Sequence, residues 1–252
     1  MHTFDVAVSL SRRAAAATII AALAVALPAA AQQAPDIPRF SSAQPGGPPP
    51  GWQHLQLASF KSNTEYRLVT DEGAVVLRAT SHNAASYLGF TTSFDPHRFP
   101  MLSWRWKIVQ GISDADTNDR HKEDAPARLM VSFDGDASKL PLKDRVASSA
   151  AKSISGQALP YAELMYVWGG KVAVGSITTS AHTSRIKMIA VAADDAGVGR
   201  WQSYTRNLVE DYKRAFGEDP GNVTAIELMT DTDNTGGNAE ALYGDISVAP
   251  PR

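Results

Sequence analysis

Cysteine is absent from all 252 residues. That excludes disulfides, thiolate metal ligands, a cysteine nucleophile and a lipidated amino-terminal cysteine together. Lysine is absent after Lys213, and no apolar run of transmembrane length follows residue 31. His54, His82, His97, His121 and His182 are scattered, with no pair at metal-ligand spacing, so nothing predicts zinc. There is no Gly-x-Ser-x-Gly elbow and no glycine-rich phosphate loop ahead of a helix. A formal net charge of −2 offers little attraction to a polyanionic backbone, which argues against sequence-independent nucleic-acid binding.

What is present begins with a leader. Arg12 and Arg13 precede an apolar run of roughly 15 residues, short of the ~20 that a spanning helix needs, and the run closes on Ala29-Ala-Ala31. Residues 1–31 therefore read as a signal peptide cleaved near Ala31, giving a periplasmic or secreted chain with no integral membrane segment. Removing it takes away Asp5, Arg12 and Arg13 and leaves the balance one charge more acidic. Residues 32–50 are rich in Pro, Gly, Ser and Gln and end in Gly46-Gly-Pro-Pro-Pro50, the composition of an extended linker. Residues 51–252 have the length for one domain with its own core.

Within that domain the apolar pattern has mostly a period of two. Strands are expected over 65–70, 74–80, 86–94, 101–109, 127–133, 162–168, 171–178, 185–192, 225–230 and 242–248. Short strands separated by polar or Gly/Pro breaks predict an all-β fold, an antiparallel, jelly-roll-like β-sandwich. Too few helices alternate with them for a doubly wound parallel sheet. One or two accessory helices are expected. Tyr204, Leu208, Tyr212 and Phe216 form an apolar stripe over 200–216 that stops at Gly217, and a weaker helix is read over 142–154.

The most informative segment is Ile226-Glu-Leu-Met-Thr-Asp-Thr-Asp-Asn-Thr-Gly-Gly237, an apolar strand running into two carboxylates one residue apart. A haloacid-dehalogenase-type start is excluded by position, because almost no chain follows to deliver a lysine or further carboxylates. Asp231, Asp233, Thr235 and Gly236 match the first half of a calcium loop, with Leu242 where the bidentate glutamate would stand. Asp231 and Asp233 are thus candidate metal ligands, with calcium as the ion and Glu240 or Asp245 as additional ligands. The other outcomes are an arginine such as Arg128 or Arg206 between the two carboxylates and a simple Asx turn. A second acidic run, Asp114 to Asp124, reads as a solvated loop; its last member could pair with Arg128.

Alternation puts Arg105 and Lys107 on one face of their strand, Arg128 on one face of the next, and Glu227 opposite Ile226 and Leu228. If these strands share a sheet, Arg105, Lys107, Arg128 and Glu227 line one polar face; Arg105, Asp124, Arg128 and Glu227 are the candidate ligand-binding residues. Mixed signs suit a polar or carboxylated sugar. Trp104, Trp106, Tyr166 and Trp168 fall with the apolar set and are expected in the core.

In order along the chain, Thr64-x-Tyr66-x-Leu-Val69, Trp104-Arg-Trp106, Asp124-Ala-Pro-Ala-Arg128, Leu164-x-Tyr166-Val-Trp168, Arg206-Asn-Leu-Val-Glu-Asp211-Tyr212, Met229-Thr-Asp-Thr-Asp-Asn-Thr235 and Tyr243-Gly-Asp245-Ile246 resemble the exported bacterial family of domain of unknown function 3047. The likeness spans roughly Gly51 to Val248. It implies a β-sandwich and no agreed reaction, cofactor or site. The Tyr243-Gly-Asp245-Ile246 strand also resembles, over a few residues, the last strand of galactose-binding-like jelly rolls. The expected function is an exported, non-catalytic module that binds a carbohydrate or another polar envelope ligand. The alternatives are a β-sandwich glycoside hydrolase or polysaccharide lyase using two of Asp124, Glu163, Glu227, Asp231 and Asp233, and a structural or partner-binding envelope protein with an exposed apolar patch.

Overall fold

The computed structural model describes residues 34–193 and 197–251. The leader expected over 1–31 lies outside the described residues. Thirteen strands, two α-helices and two single-turn 3-10 helices occur among the described residues. The strands are β1 (Gln53–Gln56), β2 (Glu65–Asp71), β3 (Ala74–His82), β4 (Ser86–Phe94), β5 (Met101–Gln110) and β6 (Arg128–Phe133). The helix α1 (Leu142–Ser155) comes next, then β7 (Ala162–Trp168), β8 (Ile177–Thr179), β9 (Ile186–Ala192) and β10 (Gln202–Asn207). The helix α2 (Leu208–Phe216), β11 (Val223–Met229), β12 (Asn238–Tyr243) and β13 (Ser247–Ala249) complete the chain.

Two sheets form the sandwich. One has seven strands in the order β1-β4-β11-β6-β7-β9-β8, and the other runs β10-β5-β12-β3-β2 with β13 also on β5. All pairs are antiparallel except β7 with β9. Leu129, Val131 and Phe133 of β6 and Leu164, Tyr166 and Trp168 of β7 turn inward against Trp104 and Trp106 of β5. The indole of Trp104 lies 5.0 Å from the Tyr166 ring and 5.1 Å from the Tyr204 ring. These aromatics are core, as alternation predicts. The two-residue turn Glu72-Gly73 joins β2 to β3 with φ of 49° and 80°, the left-handed pair that matches the twist of a tight hairpin.

Four expectations are corrected. Residues 34–50 are not a free linker. Ile37 and Phe40 are buried, Gly46 N–H donates to the Leu68 carbonyl (2.8 Å), and Leu68 N–H donates to the Gly47 carbonyl (2.9 Å). The strand expected over 171–178 is mostly a loop, with Gly170 and Gly175 at positive φ, and only Ile177–Thr179 pairs. A Cβ on Gly170 would stand 2.3 Å from the Ala115 carbonyl oxygen, so the bare backbone permits that close approach. The strand expected over 242–248 is split by a break after Tyr243. The helix expected over 200–216 begins only at Leu208, because Tyr204 belongs to edge strand β10 and pairs with Trp104. Asn207 caps α2, accepting from Val209 N–H (3.1 Å) and Glu210 N–H (3.3 Å), and Gly217 ends it at φ 74°.

Candidate functional site

The outward face of the seven-stranded sheet carries the residues that alternate with the core. Along β6 these are Arg128, Met130 and Ser132; β7 adds Glu163 and Met165, and β11 adds Glu227 and Met229. Register pairs Ser132 with Glu163 and Met130 with Glu227. The Ser132 Oγ therefore lies between two carboxyls, 3.1 Å from Glu227 Oε2 and 3.4 Å from Glu163 Oε2. Gly89 of β4 pairs with Glu227 of β11, and a Cβ there would stand 3.4 Å from the Glu227 Cγ.

Helix α1 and the segment after it form the opposite wall. Between them and the sheet lies a groove of about 390 Å³, lined by Tyr87, Met130, Ser132, Glu163, Glu227 and Ile154 among others. Of the α1 side chains only Asp144 is buried, and Leu142, Val146 and Ile154 are exposed. Asp144 tethers the helix. It accepts from Thr183 Oγ1 (2.8 Å), Ser184 N–H (2.9 Å) and Ser184 Oγ (2.6 Å). Burial works against its charge, and the Ser184 and Thr183 bonds more than offset that, lowering its pKa. Asp144→Ala should lower stability by about 1–2 kcal/mol and speed limited proteolysis between residues 155 and 160. Unchanged cleavage would show that α1 is held by something else.

Burial is the dominant electrostatic influence in the groove. It pushes the Glu163 carboxyl up to about 8, assisted by Glu227, and the Glu227 carboxyl up to about 7. Tyr87 is pushed up to about 12 by burial and then by the two glutamates. Such a pair, in a cleft and displaced into the neutral range, has the properties of a group that exchanges protons with a ligand.

The Asp231 loop is a second, separate constellation. Asp231 accepts from Arg128 Nε (2.8 Å), Arg128 Nη2 (3.0 Å) and Ala125 N–H (3.1 Å). Arg128 Nη2 also donates to the Glu123 carbonyl. Burial works against the Arg128 charge and Asp231 more than offsets it, raising its pKa; burial pushes Asp231 up to about 6 against the pull of Arg128, so both are charged at neutral pH. Asp233 pairs with Lys61. Asp124 accepts from Asn234 N–H (3.1 Å), Thr235 N–H (2.7 Å) and Thr235 Oγ1 (2.7 Å). Asp124, Asp231 and Asp233 each offer an oxygen within 4.8 Å of the others, so the trio could hold a metal ion.

The structure thus redistributes the expected site residues. Arg105 and Lys107 sit on β5, in the other sheet from Arg128 and Glu227, so the four do not share a face. The Arg105 guanidinium lies 4.4 Å from the Trp201 ring, and Lys107 pairs with Asp71 and Glu72. Arg128 pairs with Asp231, one of the two partners open to it from the sequence, and not with Asp124. Asp231 and Asp233 do converge on one polar site, but Glu240 pairs with Arg78 and Asp245 accepts from Ser41, so neither joins them. Glu227 belongs to the groove with Glu163, named among the carboxylate candidates. Ser132 was missed. Its signal was its place opposite the apolar set of β6, at the rung that register sets beside Glu163.

A family model described as protein of unknown function (DUF3047) matches residues 50–247. The chain belongs to this family. A search of the curated proteins finds no match. Among solved structures, a family 12 xyloglucanase from Bacillus licheniformis is similar at 9% identity, over 80% of this chain and 93% of that one, with a TM-score of 0.43. The xyloglucanase domain of NopAA, a type three effector from Sinorhizobium fredii, is similar at 9% identity over 80% and 94%, with a TM-score of 0.41. The enzymatically active domain of tailspike protein 4 from bacteriophage CBA120 matches at 7% identity with a TM-score of 0.39; this DUF3047 chain covers 20% of its length. At such similarity the activities in those names stay with those proteins.

Proposed function

We propose that this DUF3047 protein binds a saccharide in the groove between α1 and the seven-stranded sheet. The observation that carries the reading is the convergence of Glu163 and Glu227 on Ser132 inside a solvent-open groove. Carboxyls and a hydroxyl address sugar hydroxyls, and the methionine and leucine side chains beside them offer apolar surface to the CH face of a ring. Read with the leader, whose removal near Ala31 places the chain in the periplasm or outside the cell, the ligand is an envelope or extracellular glycan. Of the residues expected to bind it, Glu227 is kept. Asp124 and Arg128 hold the Asp231 loop, and Arg105 belongs to the other sheet.

One observation favours hydrolysis as the second reading. Two carboxyls that reach the same hydroxyl, at 3.1 and 3.4 Å, stand no further apart than the ~5–10 Å separations used across a glycosidic bond, and burial leaves them in a range where one is an acid and the other a base. Calorimetry against a panel of envelope oligosaccharides, with assay of released reducing ends, separates the two. Binding without cleavage is the expected result. Cleavage that vanishes in both Glu163→Gln and Glu227→Gln establishes the hydrolase, and silence across the panel removes both readings.

Calcium at Asp124, Asp231 and Asp233 is the metal reading. It would compete with Arg128 for Asp231 and with Lys61 for Asp233, and a calcium cage wants about 6–8 oxygens. The residues fit a salt-bridged plug better than a cage.

A further inference from the structure

The groove is rich in acceptors and poor in donors. Ser132 has one hydroxyl hydrogen for two carboxyl groups. The shorter contact gives it to Glu227, which leaves Glu163, 7% exposed and facing the groove, without a donor. Among the described residues no lysine, arginine or histidine pairs with either glutamate, and Arg128 on the same face is engaged by Asp231. The Tyr87 hydroxyl donates to Gln157 Oε1 (3.4 Å). The rest of the lining is largely thioether and hydrocarbon, Met130, Met165, Met229 and, from α1, Ile154 among it; the Ser155 and Thr224 hydroxyls donate to backbone carbonyls, which leaves the Gln157 amide as the further side-chain donor. A buried carboxylate with no partner is costly, and the cost is relieved either by a proton or by a cation that brings its own donors.

We infer that the saccharide taken by this groove carries a free amine, with its ammonium seated between the Glu163 and Glu227 carboxyls. The inference rests on the saccharide reading above and narrows it to amino sugars. An ammonium supplies three donors and no acceptor, which is the complement of what the groove presents. A neutral sugar hydroxyl supplies one donor and leaves the charge uncompensated. Without ligand the pair retains protons, because burial holds Glu163 near 8 and Glu227 near 7; Tyr87 and, further along the face, Arg128 are the other ionisable groups that act on it. Arrival of the ammonium makes the ionised pair favourable, and the protons leave to solvent.

Calorimetry with trimers of glucosamine, N-acetylglucosamine and glucose tests this. At pH 7 the glucosamine trimer should bind about tenfold tighter than either of the others, a preference on the scale of one ion pair. At pH 6, where the amine is fully charged, runs in two buffers of different ionisation enthalpy should show net proton release. The variant Glu163→Gln, Glu227→Gln should lose both the preference and the release. Equal or tighter binding of the glucose or N-acetylglucosamine trimer overturns the amine assignment and leaves the saccharide reading standing. Absence of binding by all three removes the two together. Should the double variant fail to fold, the wild-type buffer comparison decides: binding of the glucosamine trimer without proton release overturns the assignment.

Discussion

Arg128→Met should destabilise the protein by about 3–5 kcal/mol, because it leaves a buried carboxylate without its cation. Asp231 and Arg128 are both buried and are joined by two hydrogen bonds at 2.8 and 3.0 Å, with Ala125 N–H as a third donor at 3.1 Å. The same pair ties the entry of β6 to the exit of β11, and Asp124 next to it holds the backbone of Asn234 and Thr235. Denaturant melts supply the measurement. Adding Asp231→Asn to Arg128→Met should recover much of the loss, since the residual cost is that of the orphaned charge. A single mutant that melts like wild type would mean that the pair contributes nothing. The same melts address calcium: with Arg128 and Lys61 in place, chelators should leave the midpoint unchanged. An ion bound only to the folded chain would instead make the midpoint rise with calcium concentration by mass action.

The second large effect concerns pH. Glu163 and Glu227 are raised from 4.5 to about 8 and about 7 in the folded chain. A carboxyl raised on folding contributes stability that is fully present below its unfolded pKa and is lost as pH rises through its folded one. Stability should therefore fall between pH 6 and pH 9, by on the order of 2–4 kcal/mol for the pair. Asp231, raised to about 6, acts in the same direction but mostly below that window. His54, lowered by burial, acts in the opposite direction, because its unfolded imidazole titrates near 6.5, at the lower edge of the window. Urea melts at pH 6 and pH 9 measure the loss, and Glu163→Gln should remove the larger part of it. A stability that is level or rising from pH 6 to pH 9 would show that the two carboxyls are not buried as a pair.

Most of the strands were legible because a sheet buried on one face has to alternate. Leu129, Val131 and Phe133 against Met130 and Ser132, or Leu164, Tyr166 and Trp168 against Glu163 and Met165, announce both the strand and its inward side. The all-β class followed, as did the core positions of Trp104, Trp106, Tyr166 and Trp168. Helix α2 was legible from Leu208 to Phe216, but Tyr204 continued the four-residue spacing by coincidence and drew the helix back over an edge strand. Alternation and helical spacing agree at every fourth residue, and only pairing with β5 separates them. The Pro- and Gly-rich stretch before Trp52 misled for another reason. Composition reports the absence of regular hydrogen bonding, whereas Ile37 and Phe40 are held by burial, which composition does not register.

The sites divide the same way. That Asp231 and Asp233 would meet a partner followed from the chain alone, since two carboxylates one residue apart in a turn need something positive between or beside them. That Arg128 rather than Arg206 takes Asp231, and that Lys61 takes Asp233, was decided by the pairing of β6 with β11 and by the loop after β1 reaching the Asp231 turn. Glu163 and Glu227 each stood out as a carboxylate on a strand, one on each side of Ser132 in a sheet whose order no local pattern encodes. Alternation states which face a side chain takes; strand order and register state which residues share it. The Glu163–Ser132–Glu227 groove exists because β7, β6 and β11 lie side by side and α1 stands over them without burying its apolar side chains there, a long-range arrangement that only the folded chain contains.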